Sequence, residues 1–476
     1  MATVFFVVLF ICLGSVRVEA SNVRILTQKD IQENNGGLYI AHHYSLNGKK
    51  IELPLGYKLV FSGGSLDNGE IEGNHSYLVF QKKKAGIKLN LKISGTWNNK
   101  DVYDTWFEFD ESPDYVANHV IENILSMSND QTECHLHFDE PRTYHFELPY
   151  KGPTDLGERI SYDMVDGKKS RHWYELYDDR FAFLRIFTIP SNTHVTINNH
   201  FQMIPTNQGA YFVFWEYDKK NVTIDGKGVI SGDAITHRYE TPFKGPKSKY
   251  YGEWGMLIQC RKCKNFRIHG ITLENAFGDA VVFNGSSYKH ETGDRFADGF
   301  IMENVKIVNA RRNGLTLGAR NVLVKDCKFE GCGSDRVKGT PPRCAIDLEP
   351  DHINIYSEIG NENVTIENCT FKDNYRDIAS YKNNLSSYGK VATRIIGCKF
   401  TAPLHLHATY WIEFRNCYIP RFTNSVTKLS YTQYCKKLTF KNCQFGMIDN
   451  TELLSAKKRA NRYINCKYDR IVNNDL

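Results

Sequence analysis

The stretch Asn321-Val-Leu-Val-Lys-Asp-Cys327-Lys-Phe329 returns as Asn363-Val-Thr-Ile-Glu-Asn-Cys369-Thr-Phe371 further along the chain. Apolar residues alternate with polar ones in both copies, as in a β-strand that buries one face. Four later copies carry Cys398, Cys417, Cys443 and Cys466, and two earlier copies without cysteine begin at Asn265 and Glu303. Eight copies in about 205 residues give a period of roughly 26 residues, which is typical of a solenoid.

The period and the strand pattern select one class of solenoid. Period-two alternation excludes helical repeats, and coils of this length are too long for hexapeptide helices and lack the four strands of a propeller blade. We therefore predict an all-β fold, a right-handed parallel β-helix with two or three short strands per coil. Asparagine and glycine are expected at its corners.

The repeat cysteines are expected to stack inside this solenoid. They share one phase in successive coils about 4.8 Å apart, which predicts a ladder of free, buried thiols rather than a disulfide framework. Cys260 and Cys263 form a single CxxC motif. Because a second CxxC or a convergent histidine pair is missing from the pattern, we predict no metal site and no cofactor.

Composition and the amino terminus indicate an exported protein. The 476 residues include 60 Lys+Arg and 54 Asp+Glu, a net charge of +6 that is too small and dispersed for a nucleic-acid binder. The apolar run from Thr3 to Val16, followed by Val18-Glu19-Ala20, predicts a signal peptide that is cleaved near Ala20. A short membrane anchor is the alternative. We expect a secreted monomer, in the periplasm or at the cell surface, without a further transmembrane segment.

The chain divides into four parts. Residues 1–20 are the predicted signal peptide, 21–110 form amino-terminal β coils, 111–250 form early coils with loop excursions that border a groove, and 251–470 form regular coils. A single solenoid is expected to run through the last three parts.

A second aligned strand recurs between the cysteine-bearing strands. Its copies are residues 255–260, 278–284, 313–318, 344–349, 376–381 and 404–407. If Ile346 and Leu348 point inward, then Asp347 and Glu349 point outward. The same register predicts one outward row of Thr316, Asp347, Ala379 and His405, and a next row of Gly318, Glu349, Tyr381 and His407. Four charged residues flank this surface: Asp279, Arg312, Arg343 and Asp377.

Several of these motifs carry a family resemblance. The strings Phe277-Gly-Asp279-Ala, Arg311-Arg312-Asn-Gly-Leu and Arg343-Cys-Ala-Ile-Asp347-Leu-Glu349-Pro350 resemble those of the pectin-lyase-like β-helix superfamily. The chain is particularly similar to polygalacturonase-related secreted proteins of gut Bacteroidetes. The resemblance covers most of the mature chain and implies the β-helix fold and action on a polysaccharide. The paired-aspartate and Gly-His-Gly signatures of true polygalacturonases are not found.

The outward carboxylates predict glycoside hydrolysis. Alternate residues on one strand are about 6.5–7 Å apart, near the lower end of the carboxylate separation of inverting glycoside hydrolases. Asp347 and Glu349 would then serve as the acid and the base, with Asp279 as an alternative base. A purely structural alternative has these acids in salt bridges with Arg312 and Arg343.

Two other functions remain open. A polysaccharide lyase or uronate epimerase would use Tyr381, His405 or His407 as the base and Arg312, Arg343 or Lys382 to neutralise the uronate, with calcium on the acids if needed. Arginine suits an acidic polysaccharide in either enzyme, because it binds carboxylate or sulfate bidentately. The last alternative is a non-catalytic β-helix for adhesion or glycan binding.

Overall fold

The computed structural model describes most of the chain after its first 22 residues. The described residues are 23–80, 89–148, 185–206, 210–237, 254–286, 294–335, 339–350, 360–381, 389–402, 404–407, 409–422, 435, 437–449 and 461–472. The predicted signal peptide and much of the predicted excursion therefore lie outside the described residues.

Successive coils stack as three parallel faces, which confirms the all-β parallel β-helix. Face 1 contains Arg185–Phe187, Ala210–Tyr217, Trp254–Arg261, Val281–Asn284, the first half of Asn313–Lys325, Cys344–Leu348, Ile378–Tyr381 and His405–His407. Face 2 contains Asp101–Tyr103, Cys134–Phe138, Thr193–Ile197, Lys220–Gly226, Lys264–His269, Ala297–Glu303, the second half of Asn313–Lys325, Glu362–Glu367, Thr393–Ile396, Ile412–Arg415, Thr439–Lys441 and Arg462–Ile464. Face 3 contains Thr143–Phe146, His200–Met203, Val229–Ser231, Thr272–Glu274, Lys306–Val308, Lys328–Glu330, Thr370–Lys372, Tyr418–Phe422, Gln444–Asp449, Lys467–Tyr468 and Ile471–Val472.

The amino-terminal part is also built of parallel strands. They are Arg24–Ile25, Gly37–Ile40, His43–Ser45, Lys50–Glu52, Lys58–Phe61, Ser65–Phe80 and Leu89–Trp97. A short helix, Gln28–Glu33, a 3₁₀ turn, Asp104–Trp106, and the helix Asn118–Ser126 interrupt the strands. The last helix, which the sequence pattern did not indicate, protects the edge strand Leu89–Trp97. Its Asn123 side chain accepts a hydrogen bond from the Ile93 N–H and donates one to the Leu91 carbonyl, both at 2.8 Å.

The corner between faces 2 and 3 explains the Asn-Cys motif. Asn368, Asn416 and Asn442 have φ angles of 53°, 55° and 54°, in the left-handed region that asparagine tolerates better than other side chains do. Gly397 holds the same corner of its coil with φ 64°. The residue after each corner turns inward, and in these four coils it is cysteine.

The predicted cysteine ladder is confirmed. The 12 cysteines of the described residues are free, and all but Cys466 are buried. Each repeat thiol donates to two backbone carbonyls, one of them in the preceding coil: Cys369 Sγ lies 3.7 Å from the Val324 oxygen and 3.4 Å from the Glu367 oxygen. Because the thiols share one slot and satisfy their donors on the backbone, they behave as small core residues.

The corner conformation at Asn368 provides a stability test. Asn368→Ala should lower the free energy of unfolding by about 1 kcal/mol, because alanine lacks the local hydrogen bonds that help asparagine adopt positive φ. The matched variant Asn368→Gly should be close to wild type, because glycine already holds this corner in the next coil. Calorimetric unfolding measures both variants, and equal destabilisation by alanine and glycine would contradict the explanation.

Candidate functional site

The predicted register of face 1 is present in the structure. Thr316 pairs with Asp347, Asp347 with Ala379, and Ala379 with His405, while Tyr381 pairs with His407. The same row continues upstream through Val282 and Gln259 to Trp215. One strand row therefore joins the predicted site residues to a set of early coils.

A polar cluster forms where the chain enters face 1. Arg312 Nη1 donates to both oxygens of Asp279, at 3.0 and 2.7 Å, and Thr316 Oγ1 donates to Asp279 Oδ2 at 2.7 Å. Asn313 Nδ2 lies 3.2 Å from Asp347 Oδ2 and 3.5 Å from Asp279 Oδ2. We call Asp279, Arg312, Asn313, Thr316 and Asp347 the carboxylate cluster.

The cluster places two carboxylates close together in a nearly dry site. Because the Asn313 nitrogen lies 3.2 and 3.5 Å from them, the two Oδ2 atoms are less than about 7 Å apart. Asp279 is 0% and Asp347 1% exposed, whereas the Arg312 side chain is 17% exposed. The guanidinium is therefore the part of the cluster that is nearest to solvent.

The carboxylates also act on a neighbouring thiol. Burial, with the negative charges of Asp347 and Asp279 nearby, raises the pKa of Cys344 well above its ordinary value. The Cys344 Sγ lies 3.3 Å from Asn313 Oδ1, so the protonated thiol donates to the amide that links the two acids. Cys344 thereby helps to orient Asn313.

Glu349 lies one residue beyond the end of its strand. The strand Cys344–Leu348 stops one residue before it, and Glu349 is half-buried. Its carbonyl accepts a hydrogen bond from Asn284 Nδ2 at 3.2 Å. The regular spacing assumed for Asp347 and Glu349 therefore applies only up to Leu348, and Asp279 is the acid that the structure brings to Asp347.

The predicted bases lie further along the face. His405 is exposed and lies two rungs from Asp347, a backbone separation of about 10 Å. Tyr381 and His407 are register partners on the neighbouring row, and Lys382 lies outside the described residues. Register alone therefore aligns the histidines with the acids without bringing His405 into the carboxylate cluster.

A second group, which we call the arginine edge, continues outward from Arg312. Arg312 Nε donates to the Pro341 carbonyl at 3.2 Å, and Arg376 Nη1 donates to the Pro342 carbonyl at 2.7 Å. The guanidinium groups of Arg343 and Arg376 lie 4.0 and 5.1 Å from the ring centre of Tyr375, which is 39% exposed. The arginine edge consists of Arg312, Arg343, Tyr375 and Arg376.

Asp377, which the sequence also placed beside this surface, has a structural role. Its carboxylate accepts hydrogen bonds from the backbone N–H groups of Thr401 and Ala402, at 2.6 and 2.7 Å, and from Asn374 at 3.0 Å. Burial raises the pKa of Asp377, and these hydrogen bonds oppose that effect. The group fastens one coil to the next.

Sequence reasoning missed another buried polar group at this edge. Tyr211 donates to Asp233, and His237 Nδ1 lies 2.8 Å from the second Asp233 oxygen. The Phe277 ring stacks on the His237 ring at 3.8 Å. The Arg311 guanidinium lies 4.1 Å from the centre of the Phe277 ring. Burial raises the pKa of Tyr211 well above its ordinary value, so the phenol stays protonated. These residues come from three coils and share no sequence motif, so no spacing signal could have found them.

The carboxylate cluster does not suit the calcium ion considered for the lyase alternative. Calcium binds six to eight oxygen ligands, whereas Arg312 already places a positive charge against Asp279. A different set of donors, Asp101, His135 and His137, has side chains near enough to hold a metal ion.

Helices among the described residues are too short or too polar to span a membrane.

Comparison with known proteins gives distant similarities. No known family model matches the chain. The SPbeta prophage-derived uncharacterized protein YorA of Bacillus subtilis (strain 168) is 28% identical over 223 residues, which cover 42% of this chain and 36% of that protein. The matched part thus spans about a third of the relative's length.

Two solved structures with a similar fold are a phage tailspike and its mutant. The tailspike protein of E. coli bacteriophage HK620, in complex with a pentasaccharide, has a TM-score of 0.46 and 10% identity, covering 74% of this chain and 58% of that one. A mutant of the same tailspike in complex with a hexasaccharide has a TM-score of 0.47 and 10% identity, covering 74% and 57%. Both likenesses concern the fold.

Proposed function

We propose that this chain is a secreted enzyme that cleaves glycosidic bonds of an acidic polysaccharide by acid/base hydrolysis. The observation that carries the proposal is the approach of Asp279 and Asp347 to one amide nitrogen, at 3.5 and 3.2 Å. The two oxygens are therefore at most about 7 Å apart, a limit that reaches the lower end of the inverting range and also includes the shorter spacing of retaining glycoside hydrolases. Asp347 would protonate the leaving oxygen, and Asp279 would activate water.

The environment of Asp279 suits the role of the base. Arg312 contacts both of its oxygens and Thr316 donates to one, so a cation and a hydroxyl group fix the position of the carboxylate. Asp347 receives a hydrogen bond from the neutral Asn313 amide. Because Asp279 is the acid that contacts the guanidinium group, we assign the base role to Asp279 and the acid role to Asp347.

The arginine edge supports an acidic substrate. The Tyr375 ring is 39% exposed, and the Arg343 and Arg376 guanidinium groups that lie near it suit carboxylate or sulfate groups. Arg312 and Arg376 hold consecutive carbonyls of Pro341 and Pro342, so the edge leads directly to the carboxylate cluster. A polysaccharide bound here would approach the acids from the Arg312 side.

The burial of both acids favours a second candidate, a non-catalytic glycan-binding β-helix. Asp279 and Asp347 are 0% and 1% exposed, and in that case the carboxylate cluster would only hold the corner of face 1. The two candidates differ in turnover, and both predict binding at the arginine edge.

The first prediction from the proposed function concerns turnover. On the polysaccharide that a screen of acidic and neutral polymers identifies, Asp347→Asn and Asp279→Asn should each lower kcat at least about 100-fold, because an amide cannot transfer the proton. Reducing-end release measures hydrolysis. Asp326→Asn is the matched control, because Asp326 is an exposed acid at a corner where the next coil has Asn368.

Each result of that experiment decides between the candidates. Full activity of both amide variants would refute the assignment of Asp279 and Asp347. Products that absorb near 235 nm would identify a lyase instead, because elimination creates a conjugated double bond. Binding without any turnover across the screen would support the non-catalytic β-helix.

The second prediction concerns the arginine edge. Tyr375→Ala should raise KM or Kd for an acidic oligosaccharide about tenfold and change kcat little, because the ring acts in binding rather than in proton transfer. Tyr39→Ala is the control, since Tyr39 is a 66% exposed tyrosine of the amino-terminal strands. Equal effects of the two substitutions would exclude Tyr375 from the binding surface.

The third prediction concerns the contribution of the Asp279–Arg312 pair to the stability of the fold. Arg312→Met should lower the free energy of unfolding by about 3 kcal/mol, because it leaves the Asp279 carboxylate buried without its counter-charge. Adding Asp279→Asn should recover most of that loss. Denaturant unfolding of the two single variants and the double variant gives the coupling free energy between Arg312 and Asp279. Losses that simply add would contradict this explanation.

A further inference from the structure

A patch of histidines lies on the outer side of face 2, in the earliest coils and away from face 1. Asp101 pairs in register with His135, and His135 pairs with His194. His137 follows two residues after His135 and therefore points to the same side. The rings of His135 and His194 stack at 4.0 Å, and those of His135 and His137 approach to 3.8 Å. We call Asp101, His135, His137 and His194 the histidine patch.

The hydrogen bonds determine which nitrogen of His135 can bind a ligand. Thr196 Oγ1 donates to Asp225 Oδ1 at 2.7 Å, because the carboxylate can only accept. The same oxygen lies 2.8 Å from His135 Nε2 and must therefore accept the Nε2 proton. The lone pair of neutral His135 is then on Nδ1. This chain of His135, Thr196 and Asp225 orients the ring from behind, as outer-shell partners do for metal-binding histidines.

His137 and Asp101 already share a proton in the position that a metal ion would take. His137 Nε2 lies 2.9 Å from Asp101 Oδ1. Tetrahedral zinc with bonds of about 2.0–2.1 Å holds its ligand atoms about 3.3 Å apart, so this pair would move apart slightly. The His135 ligand atom lies within 4.8 Å of the other two and would move inward by at most about 1.5 Å. Asp139 Oδ2 lies 3.7 Å from His137 Nδ1, and its negative charge favours an N–H group at that nitrogen when Nε2 binds the metal. Tyr103 stacks on the His137 ring at 4.4 Å and keeps it in place.

Solvent can reach the histidine patch from two directions. A cavity of about 410 Å³ is lined by His135 and His194 but not by Asp101 or His137, so it opens onto the His135 side of the patch. Asp101 is 51% exposed, so water from the solvent side can complete the coordination.

We propose that Asp101, His135 and His137 bind a divalent transition-metal ion such as Zn²⁺, with water as a further ligand. One ligand atom of each residue lies within 4.8 Å of those of the other two. Two imidazoles and one carboxylate are ligands that Zn²⁺ binds well and that Ca²⁺, which prefers oxygen alone, does not. The ion would join the strand Asp101–Tyr103 to the strand Cys134–Phe138 and so fasten two coils together.

Titration of the full chain with Zn²⁺ tests the proposal. After removal of metal with a chelator, isothermal titration calorimetry should show one strong site, which Ca²⁺ does not occupy. His135→Gln, His137→Gln and Asp101→Asn should each weaken binding at least tenfold. His43→Gln is the matched control. His43 also contacts a carboxylate, Asp67 at 3.1 Å, but this pair has no second histidine ligand.

Two further readouts keep the result decisive. Co²⁺ should give the visible absorption of a four-coordinate site in the wild type and in His43→Gln, and this band should be lost in the patch variants. Asp101 is 51% exposed, so Asp101→Asn tests the ligand set even if a histidine variant folds poorly. Absence of Zn²⁺ binding in the wild type, or wild-type affinity in all three patch variants, would overturn the proposal.

Discussion

The parallel hydrogen bonds that join each coil to the next determine the rest of the structure. They fix the register, so a residue's position within its coil decides which residues of the neighbouring coils it contacts. Val322, Val364 and Thr393 are successive partners in one such row, and all three are buried. Errors in register would turn inward side chains outward, because side chains alternate along a strand. Ladders of like residues are a direct result of this constraint.

Such ladders are the part of the fold that the sequence could predict. The repeat cysteines mark one slot per coil, and counting from them places Thr316, Asp347, Ala379 and His405 in one row, as the structure has it. Period-two alternation and a constant corner motif are local signals, so they survive in the sequence. The helix Asn118–Ser126 lies among coils that have no such motif, and its position was correspondingly not predictable.

Contacts at the corners could not be predicted in the same way. Asp279 precedes its strand, and its side chain reaches Thr316 and Arg312 of the following coil. Asn313 contacts Asp279 and Asp347, residues from three consecutive coils meeting at one amide. Strand register gives no rule for these directions, because the backbone turns there. The histidine patch was missed for a related reason: 59 positions separate its ladder partners His135 and His194, and the intervening chain hides their relation.

The two kinds of buried carboxylate on face 1 differ in what holds them. Asp377 is bound by two backbone N–H groups, so its bonds cannot break unless the coil itself moves. Asp279 is bound by side chains, one of which, Arg312, is partly exposed. Burying such an ion pair adds little net stability, because desolvation of the charges offsets their attraction. Side-chain partners can exchange for a ligand while the coils stay intact, and this property makes the carboxylate cluster, rather than Asp377, the suitable place for chemistry.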